Sequence, residues 1–163
     1  MIRENFDNLV NALFNESRRF YQDRLISFVL FGSVGRGVPN NESDVDVLIV
    51  ANPLPDGRIK RIKEFMNVEK KLDNYFKELR ENGIYTFISP VIKTPAELEY
   101  GSPLMLDMVY DSKILYDRED FFKKRLERLK LRLQQLGAKR IYAKGGWFWV
   151  LKPDIKPGEI FEL

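Results

Sequence analysis

Two short stretches organise this chain: FGSVGRG at residues 31–37 and, shortly after, SDVDVLI at residues 43–49. The first turns through glycines after an apolar run, and the second is an apolar run that carries Asp44 and Asp46. Side chains alternate faces along a strand, so these two carboxylates point the same way while the valines beside them point the other. Neighbouring like charges repel unless a cation lies between them. A divalent metal ion that also binds phosphate oxygens is the simplest such cation.

The glycine-rich stretch is suited to binding phosphate. Gly32 allows a sharp turn and a close approach of the backbone to a ligand. Ser33 adds a hydroxyl, while Gly35 and Gly37 leave backbone N–H groups unshielded. Arg36 can pair with a phosphate or brace the loop through a carboxylate. We therefore expect Gly32, Ser33 and Arg36 to bind nucleotide. The structural alternative is an exposed turn followed by two charges on an edge strand, which requires both features to be unrelated to function.

Composition limits the chemistry that is open to the chain. The 163 residues are 44% hydrophobic and include 12 Phe, enough for one domain with a real core. There is no Cys and no His, which excludes disulfides, thiol metal sites, Ser-His triads and imidazole bases. No apolar run approaches the length of a membrane span, and the N-terminus shows no apolar signal region. A cytoplasmic protein without membrane contact is expected.

The modest net charge of +3 hides a local excess of positive charge. Residues 121–144 contain nine Lys and Arg against the single acid Glu127, a net of +8, which leaves −5 for the rest of the chain. This predicts a nucleic-acid or acidic-protein partner at the basic helix 118–140, although a solvated charged face is the commoner case. The aromatic run at residues 147–149 could stack on a base or sugar, or more simply pack as one strand face.

The order of elements predicts an α/β (α+β) domain, a small mixed sheet flanked by helices, with a basic helix and a short strand appended at the C-terminus. Residues 1–117 are expected to form the core and residues 118–163 to pack on it. Pro90 interrupts its strand, so an edge position or a bulge is expected there. The expected helices are 2–23, 58–80, one that begins at Thr94 with a capping box, one from Ser102 to about Tyr110, and 118–136; the expected strands are 25–31, 44–50, 84–93, 113–116 and 147–151.

The pattern GSxxRG followed by SDxD resembles the signature of the DNA polymerase β-like nucleotidyltransferase superfamily, and most of all its minimal prokaryotic-type members. Those members usually show Ala where this chain has Gly35. The resemblance spans roughly residues 2–116 by pattern rather than identity. It implies a nucleotidyltransferase fold and a Mg²⁺-dependent transfer of a nucleoside monophosphate from an NTP, with pyrophosphate as the leaving group.

The resemblance also implies roles for individual residues. Gly32 and Ser33 would bind the triphosphate, and Asp44 and Asp46 would be the catalytic metal ligands. The family commonly carries a third carboxylate on the strand after the long helix, but residues 84–93 contain no acid. Asp107 is a possible substitute. Its structural alternative, a helix carboxylate bonded to a neighbouring turn, is slightly favoured.

The sequence therefore predicts an enzyme that transfers a nucleoside monophosphate from an NTP, with ATP the expected one, to an acceptor hydroxyl. The acceptor could be a small molecule, an RNA end or a protein side chain. The resemblance also implies a secondary hypothesis, an antitoxin that attaches AMP to a helical toxin partner. The competing classes are a non-catalytic nucleotide- or nucleic-acid-binding module, supported by the missing third acid, and a purely structural partner protein.

Overall fold

The computed structural model describes residues 1–99 and 103–163, which form two compact units, Met1–Phe122 and Lys123–Leu163. The boundary lies five residues beyond the expected end of the core. The expectation that the C-terminal part packs on the core stays a prediction. Among the described residues, no helix is both long enough and apolar enough to cross a bilayer.

The first unit alternates helices and strands as the sequence predicted. Its elements are α1 (Ile2–Tyr21), β1 (Leu25–Phe31), α2 (Gly32–Gly35), β2 (Val45–Ala51), α3 (Arg58–Glu69), α4 (Asp73–Glu81), β3 (Ile88–Lys93), α5 (Pro95–Glu99), α6 (Pro103–Asp111) and β4 (Lys113–Asp117). A further helix, α7 (Phe121–Leu136), starts at its end and continues into the second unit, where β5 (Lys139–Ala143) and β6 (Gly146–Val150) follow.

The first unit is built on a four-stranded mixed sheet with strand order β3-β2-β1-β4. β1 pairs antiparallel with both β2 and β4, whereas β2 and β3 run parallel. β3 therefore lies at an edge of the sheet, a position where a proline is tolerated. The predicted fold class and the edge position of β3 are both confirmed.

One face of this sheet carries the main hydrophobic core. Val45, Val47 and Ile49 of β2 join Phe28 and Leu30 of β1 in a single buried cluster. The helices cover this face with the buried residues Phe6, Leu9, Val10 and Leu13 of α1, Phe65 and Val68 of α3, and Leu79 of α4. Burying such side chains is the main favourable term in folding. The alternation along β2 turns Asp46 to the opposite face.

The opposite face of the sheet is covered at its centre by α6. Leu48 and Val50 of β2 are completely buried there. α6 contacts β1 and α2, and its own buried residues lie outside the main cluster, which places this helix on the second face. Asp46 comes before Leu48 on this face, and its side chain remains half-buried rather than enclosed.

A buried arginine braces the free edge of β3. Arg61 of α3 is only 8% exposed. Its guanidinium donates to the carbonyls of Pro55 (2.8 Å) and Ile92 (3.2 Å) and to the Glu97 carboxylate (2.7 Å). Glu97 also accepts from the Thr94 N–H at 2.8 Å, so the predicted capping box at the start of α5 is present. Arg61 and this hydrogen-bonding place the pKa of Glu97 at about 2.

Several boundaries differ from the sequence prediction. The expected single helix over 58–80 is divided by a 3₁₀ turn at Lys70–Leu72, in which Leu72 is completely buried. Asp44 precedes β2 instead of starting it, and β3 begins only at Ile88. The expected helix start at Ser102 lies outside the described residues, and α6 is described from Pro103.

The second unit contains a hairpin that the sequence analysis missed in part. The strand expected over 147–151 is present as β6, one residue earlier, and it pairs antiparallel with β5. The partner strand, KRIYA, is short and rich in positive charge, so its alternation carries too little apolar signal to predict a strand.

Candidate active site

Gly32 brings the end of β1 against a carboxylate of β2. Phe31 pairs with Asp46 across the two antiparallel strands, and the chain then turns at Gly32 with φ of +65°. A Cβ placed on Gly32 would lie 2.1 Å from Oδ2 of Asp46. Both the backbone angle and the available space therefore require glycine, and the carboxylate rests directly on the turn.

The glycine-rich stretch after Gly32 is closed by its own backbone. Residues 32–35 form the short helical turn α2. The N–H of Arg36 donates to the Gly32 carbonyl and the N–H of Val38 to the Ser33 carbonyl, both at 3.0 Å. Gly35 packs tightly, because a Cβ there would lie 2.9 Å from the backbone of Leu30. The loop is thus held rigidly at the end of β1.

Ser43 fixes the approach to the two acids. Its side chain is buried, and its hydroxyl accepts the N–H of Asn40 at 2.8 Å while its own N–H donates to the Asn40 carbonyl at 3.1 Å. This compact turn is followed directly by Asp44 and then by β2. The serine of the SDxD pattern therefore has a structural role that the sequence analysis did not assign.

Asp44 and Arg36 both lie close enough to Asp46 to act on its carboxyl group. Burial raises the pKa of the Asp46 carboxyl above its usual value, and the negative charge of Asp44 adds to that rise. The Arg36 guanidinium acts in the opposite direction. The carboxylate of Asp46 is thus partly desolvated beside a like charge, an arrangement that a bound cation would relieve.

Ser89 is a site residue that the sequence analysis missed. It lies directly opposite Asp46 in the parallel pairing of β2 with β3. Its hydroxyl donates to the Asp46 carboxylate, which lowers the pKa of Asp46 against the larger effect of burial. The strand register could not be read from the sequence, so no pattern singled out this serine among residues 84–93.

Within the part of the chain that the structure describes, no third acid joins Asp44 and Asp46. Over residues 1–99 and 103–163, no group of three or more Asp, Glu, His or Cys side chains is placed to hold a metal ion. Asp107 is exposed on α6. Two carboxylates alone still fit a divalent cation of the magnesium type, which binds through one or two carboxylates and takes its other oxygens from phosphates and water.

Two neighbouring carboxylates beside a glycine turn and a serine hydroxyl have the chemistry to hold a divalent cation and the phosphate oxygens bound to it. Comparison with known proteins agrees. The sequence model of the nucleotidyltransferase domain matches residues 11–133. A protein of Methanocaldococcus jannaschii named "Putative protein adenylyltransferase" is 34% identical over 129 residues, which cover 76% of this chain and 80% of the relative.

Two solved structures resemble this chain distantly. One is a toxin–antitoxin crystal structure with AMP-PNP, with a TM-score of 0.49, 21% identity, and coverage of 78% of this chain and 91% of that chain. The other is spectinomycin adenyltransferase of Enterococcus faecialis with ATP and spectinomycin, with a TM-score of 0.46 and 16% identity. The similarity covers 79% of this chain and 66% of that chain.

The chain belongs to the nucleotidyltransferase domain family, as the pattern of residues 32–46 had indicated. It is an enzyme of the class that transfers nucleotidyl groups. The expected family, fold and enzyme class are confirmed. The roles of Gly32, Ser33, Arg36, Asp44 and Asp46 stay predictions, now with a defined geometry.

Proposed function

We propose that this enzyme transfers AMP from ATP to a hydroxyl group of a protein acceptor. The class of acceptor is supported by the relative named as a protein adenylyltransferase, which matches most of both chains. The observation that carries the assignment of the site is the contact of Asp46 with the Gly32 turn, because it places a carboxylate where a triphosphate could meet the glycine loop. A cytoplasmic location, where ATP is abundant, belongs to the same proposal.

Asp44 and Asp46 would hold Mg²⁺ in this site. A divalent cation there would neutralise the charge of the triphosphate and polarise the phosphorus that is attacked. Gly32 lets the Asp46 carboxylate rest directly against the backbone of the loop, and Ser33 offers a hydroxyl donor. Arg36, which already acts on Asp46, would contribute positive charge towards the phosphates. Ser89 would hold Asp46 in its orientation through its hydrogen bond.

In the proposed reaction, the acceptor oxygen forms a bond with the α-phosphorus of ATP. The bond from that phosphorus to the bridging oxygen breaks, and pyrophosphate leaves with the electron pair. The hydroxyl proton passes to solvent, because β3 carries no acid beside the site that could accept it. Without such a base, a slow transfer is expected.

Labelled ATP tests this proposal. The purified enzyme is incubated with cell extract and with ATP that is labelled at either the α or the γ phosphate. The proteins are then separated, and the label on each protein is measured. Label from the α position only is expected on an acceptor protein, and it should disappear with Asp46→Asn but persist with Asp107→Asn. Label from the γ position would indicate phosphorylation, and label on RNA or small molecules alone would contradict a protein acceptor.

Membership of the family favours an enzyme over the non-catalytic binding module. The antitoxin hypothesis stays a prediction, and the same experiment addresses it. An acceptor that is a single helical protein partner, labelled on one hydroxyl residue, would support it.

A further inference from the structure

The second unit has the opposite charge to the first. Lys123–Leu163 contains eleven Lys and Arg against four Asp and Glu, a net of +7, which leaves −4 for Met1–Phe122. Two of these four acids, Asp154 and Glu159, already contact Lys152. The unit as a whole therefore keeps a large net positive charge. Such an excess attracts a polyanion.

Part of this charge is aligned on the helix of the unit. Lys124, Arg128 and Arg132 follow one another at intervals of four residues along α7 and therefore lie on one face. Arg132 donates to the Glu162 carbonyl at 2.7 Å, whereas Lys124 and Arg128 extend into solvent. A row of cations with this spacing can follow the phosphates of a polynucleotide backbone.

The hairpin of the same unit presents two aromatic rings that meet edge-on beside a guanidinium group. Tyr142 pairs directly with Trp147 across β5 and β6, and their ring centroids are 6.3 Å apart. The Arg140 guanidinium lies 4.7 Å from the centroid of Trp147 and 5.2 Å from that of Tyr142. It also donates to the Tyr142 hydroxyl at 2.5 Å. The Tyr142 side chain is nevertheless 68% exposed.

The other face of the hairpin is also partly open. Ile141 pairs with Phe148, and these side chains are 39% and 51% exposed. Aromatic rings on an exposed two-stranded hairpin contribute little to the core of their own unit. Flat rings beside guanidinium groups are instead the surface on which unpaired bases stack.

We propose that the unit Lys123–Leu163 binds single-stranded nucleic acid, with bases stacking on the face of the hairpin that carries Tyr142 and the cations of α7 and the hairpin contacting phosphates. An acidic segment made of Asp and Glu alone would use the charge but would have no flat groups to stack on the rings. A nucleic-acid duplex would present phosphates but keep its bases stacked on one another. This inference concerns only the second unit and does not depend on the proposed transfer reaction.

Fluorescence anisotropy with the full-length protein tests the proposal. The probes are a labelled twelve-nucleotide oligo(U), oligo(dT) of the same length, and a duplex of equal charge, at several salt concentrations. Oligo(U) and oligo(dT) are both expected to bind more tightly than the duplex. Tyr142→Ala should weaken binding by about 5- to 150-fold, the range that loss of one stacked base gives. Phe148→Ala, which removes a ring from the opposite face of the hairpin, should leave binding nearly unchanged. Tyr75→Ala, which removes an exposed ring of α4 in the first unit, should leave binding unchanged.

The contribution of the α7 cations is measured separately, through the salt dependence of binding. The double variant Lys124→Gln, Arg128→Gln should reduce the slope of log affinity against log salt by about 1.4, because each lost phosphate contact removes about 0.7. The proposal is overturned by equal affinity for the duplex, by full competition from poly-glutamate at equal charge, by an unchanged affinity of Tyr142→Ala, or by no binding at low salt. Competition by poly-glutamate would indicate an acidic protein partner instead.

Discussion

Replacing Gly32 with alanine should disturb both the backbone and the carboxylate of Asp46. The positive φ of Gly32 is unfavourable for any residue with a Cβ, at about 1–2 kcal/mol. The new methyl group would also lie 2.1 Å from Asp46 Oδ2. Since atoms in ordinary contact stay more than 3 Å apart, the oxygen must retreat by about 1 Å. That movement breaks the hydrogen bond from Ser89, a further loss of about 1–2 kcal/mol.

Gly83 offers a matched control for this substitution. Its φ is +74°, close to that of Gly32, but a Cβ there would meet nothing within 4 Å. Gly83→Ala should therefore show the backbone cost alone, a fall in melting temperature of about 2–8 °C. The melting temperature of Gly32→Ala should fall further than that of Gly83→Ala. Only Gly32→Ala should also lose affinity for Mg²⁺–ATP, by more than tenfold.

Thermal unfolding and calorimetric titration of ATP with Mg²⁺ measure both effects on the two variants. If Gly32→Ala binds ATP as tightly as Gly83→Ala does, the contact between the turn and Asp46 is not part of a nucleotide site. If the two variants lose equal stability, the steric part of the argument is wrong.

Three further substitutions test the packing of the first unit by denaturant unfolding. Arg61 lowers the pKa of Glu97, so the ionised carboxylate stabilises the fold at pH values above about 4.5, and this stabilisation is lost as the pH falls from about 4.5 to 2. The Glu97→Gln variant should therefore unfold more easily than the wild type at pH 7. It should also lose less stability than the wild type over that acid range. Gly35→Ala should cost about 1–3 kcal/mol, since its methyl group would press on the backbone of Leu30; an unchanged stability would mean that β1 and α2 can move apart. The buried Ser17 hydroxyl has no hydrogen-bond partner within the described parts of the chain, so Ser17→Ala in α1 should raise stability by up to about 1 kcal/mol; a loss of stability would reveal an unrecognised partner.

The strand that carries the acids was predictable because its alternation and its glycine boundary are local features. Asp46 and the valines beside it fall on opposite faces because of the two-residue repeat of a strand, and the structure follows that repeat. The same local logic predicted the capping box that ends at Glu97. Pro90 marked an edge strand for a reason that is equally local, the missing N–H.

What the sequence could not show depends on contacts between distant segments. The hydrogen bond from Ser89 to Asp46 follows from the register of β3 on β2, and forty-three residues separate the two. The burial of Arg61 likewise depends on carbonyls and a carboxylate supplied by three other segments. No periodicity in one segment encodes such a pairing, so both required the folded structure.

Calorimetric titration of ATP into the wild type and into the double variant Asp44→Asn, Asp46→Asn, each with and without Mg²⁺, addresses the site itself. We expect the wild type to bind ATP more tightly when Mg²⁺ is present, and the double variant to lose that dependence and more than tenfold in affinity. An affinity for Mg²⁺–ATP that is the same in both proteins would contradict the assignment of these carboxylates to the metal and, with it, the proposed site of transfer.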